Sequence, residues 1–363
     1  MDAALRLLLA SWAALGGPSA PPADAVPEMV PRPVILQIQP VDGRTLRGDW
    51  EIADQVFMVY TEAWQPALDA IGREVLASGT PLGIVIETGN RRKPLERWVA
   101  ELTASYGEKV DFFDTVVDTP WIRDWGPVQV SVDAGALWLD TSYEDDDRLR
   151  DDLAPQLFAH RYGGELAELG WAIDGGAFIS NGRGLCMLTR EYLDNEMLYY
   201  DDDHEMDALL GELGCRVVAL VPTLVDEDTK HADMIAQFVG PGRVMVAEID
   251  PALALEDSLR LDAVVLGLHR AAALMQLELE VIRVPTPVIE PSGAPRTYVN
   301  GLRLRDRYLM PSYPELGEAM QADALAAVQD AMGSVKVVPV VVSEMIHSGG
   351  AIHCAALGLF QTY

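Results

Sequence analysis

The chain has 363 residues, of which 49% are hydrophobic and 23% are charged, so it can form one large globular domain or two smaller ones. Its formal net charge of −29 excludes nucleic acid and anionic membrane surfaces as partners, because an acidic surface repels both. Such a surface attracts cationic small molecules and basic peptides, although solubility alone also accounts for a charge of this size.

The first thirty residues predict a flexible leader or a signal peptide. An apolar run at residues 7–15 precedes a Pro- and Ala-rich stretch with Ala-Asp-Ala at 23–25, which is typical of a cleavage site. Asp2 argues against export, because it interrupts the basic segment with which a signal peptide begins, where Arg6 alone is positive. Cytoplasmic and exported locations both stay open. No apolar run reaches the roughly 18 residues that indicate a membrane-spanning helix.

Strands and helices alternate along the rest of the chain. Apolar and β-branched runs predict strands at residues 56–60, 83–86, 110–113, 128–132, 137–139, 178–179, 185–188, 216–221, 235–239, 244–246, 279–282, 308–310 and 337–342. Amphipathic patterns predict helices at residues 67–77, 94–106, 258–276 and 319–332. Gly-containing turns between paired strands are predicted at residues 133–135, 181–182 and 241–242.

One pattern recurs: a β-rich run, a turn that holds a polar residue, a β-hairpin and an amphipathic helix. The polar turn residues are spaced roughly 50 to 70 residues apart, about the length of one supersecondary repeat. They are Asp124, Asp174, Asp233, Asn300 and Cys354. Such a repeat favours a radial or stacked architecture, in which all five turns converge on one axis. An ordinary α/β sandwich also alternates strands and helices, so the pattern alone leaves both architectures open.

The C-terminal segment is predicted to carry a nucleophile. Cys354 follows a Gly-Gly pair at residues 349–350, and glycine allows a tight turn that would aim the thiol into a cleft; a buried, inert cysteine is the alternative. The three cysteines, Cys186, Cys215 and Cys354, predict no disulfide framework. No Cys-x-x-Cys pair exists, which argues against a thiolate zinc site.

The polar turns offer the groups that bind and attack a guanidinium. Asp124 and Asp233 supply carboxylates, which make charge-assisted bonds to the planar N–H fork of a guanidinium. The thiolate of Cys354 could attack the guanidinium carbon, and a bound cation beside the sulfur favours the thiolate. His231 is predicted to protonate the departing nitrogen and then activate water, with Asp174 orienting its ring. His231 and Asp233 are two residues apart, so their side chains would lie on the same face if this segment were a strand.

The motifs that carry these groups resemble those of the guanidine-modifying deiminase superfamily, in its bacterial branch of agmatine deiminases and porphyromonad-type peptidylarginine deiminases. The resemblance covers about residues 50–363, in the family's order, with Trp121-Ile122-Arg123-Asp124-Trp125-Gly126-Pro127, Asp174-Gly175-Gly176, His231-Ala232-Asp233, Tyr298-Val299-Asn300 and Gly349-Gly350-Ala351-Ile352-His353-Cys354. It implies a five-bladed α/β propeller, the pentein fold, with pseudo-fivefold ββαβ repeats. It also implies one catalytic deiminase domain at residues 31–363, after the leader at 1–30.

The implied activity is hydrolysis of a guanidinium to a ureido group and ammonia, through a covalent thiouronium on the cysteine. The resemblance assigns Cys354 as nucleophile, His231 as acid and base, Asp124 and Asp233 as guanidinium-binding carboxylates, and Asp174 as the acidic residue before Gly-Gly. The implied substrate contacts are Asn300, Trp121, Trp125, Arg123 and Gly350. No metal and no other cofactor is expected. The expected partner is a cationic small molecule or an arginine-containing peptide, without nucleic acid or membrane insertion, and a homodimer stays open.

Two departures from the family pattern bear on the substrate. Ala177 follows the Gly-Gly pair where the family often has asparagine. Residues 143–147 read Tyr-Glu-Asp-Asp-Asp where the peptidylarginine branch supplies arginines for a substrate carboxylate, and Arg148 and Arg150 are the nearest basic residues. We therefore expect agmatine or an internal arginine to be preferred over free arginine. A solvated acidic loop without a role in binding is the alternative.

Other functions stay open from the sequence. Transfer of the amidino group to an amine is the alternative within the superfamily, and a guanidine-binding protein without catalysis is another. A metal-binding module could use His347, His353 and Cys354. Neighbouring residues on a strand point to opposite faces, so a strand at His353 and Cys354 would argue against a shared metal.

Overall fold

The structure is a computed structural model that describes residues 30–41, 43–133, 135–143, 148–195, 203–288 and 295–360. Residues 1–29 of the predicted leader and the acidic segment 144–147 lie outside the described residues. The strands of the described ranges form five separate sheets of three or four strands each. No helix in these ranges has the length and apolar character needed to cross a membrane.

The five sheets are the blades of a propeller, which we number 1 to 5. Blade 1 consists of Ala356–Leu359, Gln55–Tyr60, Leu82–Glu87 and Val110–Val117. Blade 2 consists of Thr45–Leu46, Val128–Val132, Gly135–Ser142 and Leu166–Ala172. Blade 3 consists of Phe178–Ser180, Leu185–Thr189, Val217–Val221 and Val34–Gln37. Blade 4 consists of Ala236–Gly240, Arg243–Glu248 and Glu280–Pro285, and blade 5 of Leu302–Arg303, Arg307–Ser312 and Lys336–Val341.

Every blade combines an antiparallel pair with a parallel pair. In blade 2, Val128–Val132 pairs antiparallel with Gly135–Ser142, which then runs parallel to Leu166–Ala172. The central parallel strands are continuous apolar runs, such as Leu82–Glu87 and the fully buried Val217–Val221. Such runs are expected where both faces of a strand are covered.

Parallel strands need a long crossover, which here contains a helix in each blade. The longer helices are Gln65–Ala77, Arg92–Tyr106, Ala154–Tyr162, Asp203–Glu212, Leu255–Leu274 and Glu318–Met332. Short helical turns are Glu62–Trp64, Gly107–Lys109, Ile122–Trp125, Leu149–Asp152, Arg190–Asn195, Ala232–Met234, Pro314–Leu316 and Ser343–Ile346. The helix at 154–162 and the strand at 166–172 had no counterpart in the sequence prediction.

The architecture confirms the predicted five-bladed α/β propeller. The ring closes in blade 1, where the C-terminal strand Ala356–Leu359 pairs antiparallel with Gln55–Tyr60. Near the N-terminus, Val34–Gln37 and Thr45–Leu46 add strands to blades 3 and 2. The largest apolar cluster of the described ranges extends over blades 1, 4 and 5 and includes Cys354, so the closing strand and the turn that carries Cys354 share one core.

The polar turn residues each stand just before the first strand of an antiparallel pair. Asp124 precedes Val128–Val132 in blade 2, and Asp233 precedes Ala236–Gly240 in blade 4. Asp174 and Asn300 hold the same place in blades 3 and 5, and Cys354 precedes Ala356–Leu359, the strand that closes blade 1. The repeat predicted from the sequence therefore corresponds to one such turn for each blade. We call these five turns, which carry Asp124, Asp174, Asp233, Asn300 and Cys354, the hub.

Two of these segments are turns, as their polar residues predict, and neither has the strand geometry that was considered for its side chains. Ala232–Met234 forms a 3₁₀ turn, and the chain around Cys354 is a turn that ends at Ala356. The side chains of His353 and Cys354 consequently do not diverge: Nδ1 and Sγ lie 2.7 Å and 3.6 Å from the same oxygen, Oδ2 of Asp233. The argument from opposite strand faces does not apply.

The cysteines were expected to form no disulfide framework, and the structure contains one disulfide that the sequence did not predict. Cys186 and Cys215 are disulfide-bonded, with Cα atoms 5.9 Å apart, and Cys354 is the free cysteine. Cys186 lies in Leu185–Thr189, and Cys215 lies just before the parallel neighbour Val217–Val221. Pairing of the two strands brings the two sulfurs together, which spacing along the sequence cannot reveal.

Candidate active site

Asn300 of the blade 5 turn holds the turn that carries Cys354. Its Oδ1 accepts hydrogen bonds from the main-chain nitrogens of His353 (3.0 Å) and Cys354 (3.3 Å). Its Nδ2 lies 3.1 Å from Sγ of Cys354 and also donates to the carbonyl of Asp233. Asn300 thus fixes both the backbone and the thiol, which is only 3% exposed.

His231 lies between two carboxylates from other blades. Its Nε2 is 3.1 Å from Oδ2 of Asp174, and its Nδ1 is 3.6 Å from Oδ1 of Asp124. Tyr192 supports this arrangement, because its ring contacts the imidazole edge-on and its hydroxyl accepts a hydrogen bond from the main-chain nitrogen of Asp174. The imidazole is therefore held in one orientation at the hub.

Asp233 connects the histidine side of the hub to the thiol side. Its main-chain nitrogen donates to the carbonyl of Gly176 at 3.3 Å, and its side chain is fully buried. Oδ2 lies 2.7 Å from Nδ1 of His353 and 3.6 Å from Sγ of Cys354. One carboxylate oxygen of Asp233 is thereby held by the turn that carries Cys354.

Two glycines allow these groups to approach one another. A Cβ on Gly176 would lie 2.6 Å from Nδ1 of His231 and 2.8 Å from Oδ1 of Asp124. A Cβ on Gly350 would lie 2.7 Å from the ring of Trp121 and 2.9 Å from Cβ of Cys354. Real Cβ atoms do not pack this closely, so any other residue would displace the acid, the histidine or the cysteine.

Two carboxylate oxygens at the hub have no hydrogen-bond partner within the described part of the chain. They are Oδ1 of Asp124 and Oδ1 of Asp233, both buried. A buried carboxylate oxygen without a donor costs free energy, so such atoms indicate a ligand that supplies the donors. Two acceptors around a thiol match the N–H groups of a planar cation.

The electrostatics favour a protonated histidine and a neutral thiol before any ligand binds. Burial opposes the charged imidazole, but Asp124 and the hydrogen bond to Asp174 raise the pKa of His231 to about 10. Burial, and then the charges of Asp233 and Asp124, raise the pKa of the Cys354 thiol. Burial also raises the pKa of Asp124 to about 7, in part offset by His231.

Asp233 behaves differently from Asp124. Burial works towards a higher pKa, but the hydrogen bond from His353 and the neighbouring cations leave the pKa of Asp233 below its ordinary value. Asp233 is therefore ionised at neutral pH, next to a thiol that is not.

The structure brings together six of the predicted site residues, Cys354, His231, Asp124, Asp174, Asp233 and Asn300. The three other side chains expected near a ligand lie in different surroundings. Trp121 is half-buried and packs on Trp64, with ring centroids 4.7 Å apart, so it forms a wall beside Gly350. Trp125 is 1% exposed and packs on Phe158 in an apolar cluster. Arg123 donates to main-chain carbonyls behind Cys354.

Sequence reasoning missed several polar residues of this region. His353 was considered only as a metal ligand, although its place beside Cys354 in the motif could have indicated a role. Asp49 lies close enough to Arg123 and Asp233 to interact with their charges, and burial raises the pKa of Asp49 to about 8. No local pattern around Asp49 predicts this. Tyr143 lies near Asp124 and Asp174, and its hydroxyl accepts a hydrogen bond from Arg148.

The metal-binding alternative finds no support in the described ranges, where no group of three or more His, Cys, Asp or Glu side chains is arranged to hold a metal ion. Arg150 is one of the two basic residues nearest to the acidic segment in the sequence, and its guanidinium forms an ion pair with Asp118.

Fold and site together place the chain among enzymes that hydrolyse guanidinium groups, the guanidine deiminases. The family profile of the Porphyromonas-type peptidyl-arginine deiminases matches residues 45–358. The chain belongs to this family.

Individual relatives agree with this assignment. The agmatine deiminase of Stutzerimonas stutzeri (strain A1501) is 24% identical over 356 residues, which cover 86% of this chain and 94% of the relative. The solved agmatine deiminase of Enterococcus faecalis superposes with a TM-score of 0.71 at 18% identity, over 91% of this chain and 99% of the other. The agmatine deiminase of C. jejuni gives a TM-score of 0.69 at 17% identity, over 89% and 98%. At these identities the structural likeness shows the shared fold.

Proposed function

We propose that this deiminase hydrolyses agmatine to N-carbamoylputrescine and ammonia, with Cys354 as the nucleophile. The observation that carries the proposal is a pair of buried oxygens that accept no hydrogen bond from the described residues, Oδ1 of Asp124 and Oδ1 of Asp233, beside a buried thiol. Agmatine is favoured because the named relatives are agmatine deiminases. The net charge of −29 also suits a substrate with two positive charges.

Binding would satisfy the two oxygens and prepare the thiol. The guanidinium N–H groups donate to Asp124 and Asp233, which fixes the guanidinium carbon near Sγ of Cys354. The bound cation offsets the carboxylate charges that raise the pKa of the thiol. The thiol then loses its proton to solvent, and the thiolate forms next to its target.

The first chemical step exchanges a C–N bond for a C–S bond. The thiolate of Cys354 attacks the guanidinium carbon and forms a tetrahedral adduct. His231 is protonated in this environment and gives its proton to the departing nitrogen. Ammonia leaves, and a thiouronium remains on Cys354.

The second step exchanges the C–S bond for a C–O bond. Neutral His231 takes a proton from a water molecule, whose oxygen attacks the thiouronium carbon. The C–S bond breaks, the thiolate of Cys354 is regenerated, and the proton on the product oxygen goes to solvent. Asp174 holds the imidazolium that forms, through its contact with Nε2 of His231.

The test is to measure ammonia and ureido product from agmatine, free arginine and a peptide with an internal arginine. We expect agmatine to give the highest kcat/KM, and Cys354→Ala to fold but release no ammonia. A single-turnover sample quenched in acid should show the thiouronium on the peptide that contains Cys354. A higher kcat/KM for the peptide would overturn agmatine as the substrate, and turnover by Cys354→Ala would overturn the nucleophile.

A further inference from the structure

Arg123 makes a set of contacts that the proposed reaction does not use. Its main-chain nitrogen donates to the carbonyl of Cys354 at 3.1 Å. Its side chain donates through Nη2 to the carbonyl of Ala356 at 3.0 Å and through Nε to the carbonyl of His353 at 3.5 Å. Arg123 thus holds the turn of Cys354 at three carbonyls, those of His353, Cys354 and Ala356.

The same residue is the chain neighbour of Asp124 in the short helix Ile122–Trp125. Any shift of Arg123 relative to the turn therefore changes the distance between the thiol of Cys354 and the carboxylate of Asp124. Blade 1 supplies the thiol and blade 2 the carboxylate, so this contact sets the spacing between two separate sheets.

We propose that Arg123 is a positioning residue that fixes Cys354 relative to Asp124, and that it is not a substrate contact. The proposal rests on the proposed role of Cys354 as nucleophile. An arginine suits this task, because its planar fork reaches several carbonyls at once, whereas a lysine ammonium acts as a single point charge.

The surroundings of the guanidinium separate it from the reacting groups. Arg123 lines a cavity of about 90 Å³ together with Asp49, Gln129 and His353. Neither Cys354 nor His231 is among the described residues of its wall. A cation on this side repels a second guanidinium, so a substrate would be drawn to the other side of Asp124 and Asp233.

The charge of Arg123 has a second effect on the hub. Burial lowers the pKa of Arg123, while Asp233, Asp49 and Asp124 act to keep it charged. In return the arginine favours the ionised forms of Asp233 and Asp124. The effect of the planar guanidinium and the effect of its charge can be separated experimentally, because a lysine at position 123 keeps the positive charge and loses the planar array of N–H donors.

The experiment compares Arg123→Lys with wild-type protein and with Arg307→Lys. Arg307 is a half-buried arginine of blade 5 that pairs with Glu74 and Asp306, so it is a control away from the hub. We expect Arg123→Lys to lower kcat about 10- to 100-fold, the effect of a misplacement on the order of 1 Å. Binding of agmatine, measured by calorimetry in the Cys354→Ala background, should change less than about threefold.

The opposite split would overturn the proposal. A weaker agmatine affinity with unchanged kcat would make Arg123 a substrate contact, and unchanged values of both would remove any role. Where the lysine variant fails to fold, Arg123→Gln takes its place, because its amide can still donate to one carbonyl.

A readout that does not depend on deimination separates this proposal from the previous one. Loosening the turn should expose the buried thiol, so iodoacetamide should alkylate Cys354 of Arg123→Lys several-fold faster than wild-type protein, as expected for local opening. An alkylation rate equal to wild type would overturn the proposal even if agmatine proved not to be the substrate. If the proposed function were wrong, the wild-type protein itself would release no ammonia from agmatine.

Discussion

At the scale of single residues, the sharpest prediction follows from the two buried oxygens, Oδ1 of Asp124 and Oδ1 of Asp233, that accept no hydrogen bond from the described residues. Replacing Asp124 or Asp233 by asparagine removes a charge-assisted contact to a desolvated cation and presents an N–H group to it. We expect each substitution to cost about 2–5 kcal/mol of transition-state stabilisation, or roughly 30- to 5000-fold in kcat/KM. Asp323→Asn, on the exposed face of Glu318–Met332, is the control and should match wild type. Near-normal kcat/KM for either hub variant would make that aspartate structural.

The contact between His231 and Asp174 predicts the alkaline limb of the pH profile. The acids raise the pKa of His231 to about 10, and the proposed first step needs the protonated ring, so kcat/KM should fall as pH rises through that value. Asp174→Asn removes a carboxylate that raises the pKa, and the limb should move to lower pH.

The free energy of unfolding is also expected to fall as pH rises, because the pKa of His231 is higher in the folded chain than in the unfolded chain. A raised pKa in the folded chain stabilises it fully below the unfolded value of 6.5, and this stabilisation is lost as pH rises towards about 10. Urea unfolding of wild type and Asp174→Asn at several pH values measures it. An alkaline limb that does not move in the variant would contradict the role of Asp174.

The sequence predicted the candidate reacting groups but not the residues that hold them. Asp124, Asp233 and Cys354 carry chemistry that follows from side-chain type and a repeated turn. The positions of Arg123 and His353 could not be predicted in the same way, because both act through contacts with turns more than a hundred residues away along the chain. Asp49 lies in no recognisable pattern at all.

At the scale of elements, hydrophobic periodicity predicted most strands and the long helices, and failed at the hub. The strand predicted at 128–132 has the observed bounds, and the helix predicted at 67–77 starts two residues late. The strand geometry considered for the side chains of His231 and Asp233, and of His353 and Cys354, is wrong, because both segments are turns. There the backbone bends because its polar groups bond to other blades, such as Asn300 to the turn of Cys354.

The disulfide between Cys186 and Cys215 predicts how blade 3 responds to reduction. The bond closes a loop with a sequence separation of 29, for which the chain-entropy relation gives about 3.5 kcal/mol of stabilisation. The double variant Cys186→Ala, Cys215→Ala should lose free energy of unfolding on this order in urea titrations. Its catalytic rate should stay close to wild type, because neither cysteine contacts the hub residues described above.

Reductant provides the control for this prediction. A thiol reductant should lower the stability of wild-type protein and leave the double variant unchanged. Three titratable thiols in the unreduced, unfolded wild-type chain would contradict the disulfide.

At the scale of the whole molecule, the propeller makes five distant turns into one site. Each blade contributes one turn to the hub, so the repeat in the sequence indicated which turns meet before their contacts were known. Ring closure was not predictable in this way, because the pairing of Ala356–Leu359 with Gln55–Tyr60 joins the two ends of the chain. That closing strand begins two residues after Cys354, so the position of the proposed nucleophile depends on the ring being closed.

The overall charge predicts how salt affects the reaction. A net charge of −29 attracts cations over a distance set by the Debye length, about 8 Å at physiological ionic strength and about 3 Å at 1 M. Raising ionic strength should therefore lower kcat/KM for agmatine several-fold while kcat at saturation stays constant, since the buried hub groups are screened much less. N-acetylagmatine keeps the guanidinium and loses the distal positive charge, so its kcat/KM should fall less steeply. Equal slopes for the two compounds would show that the distal charge of agmatine does not experience the acidic surface, and a rise of kcat/KM with salt would contradict electrostatic attraction of the substrate.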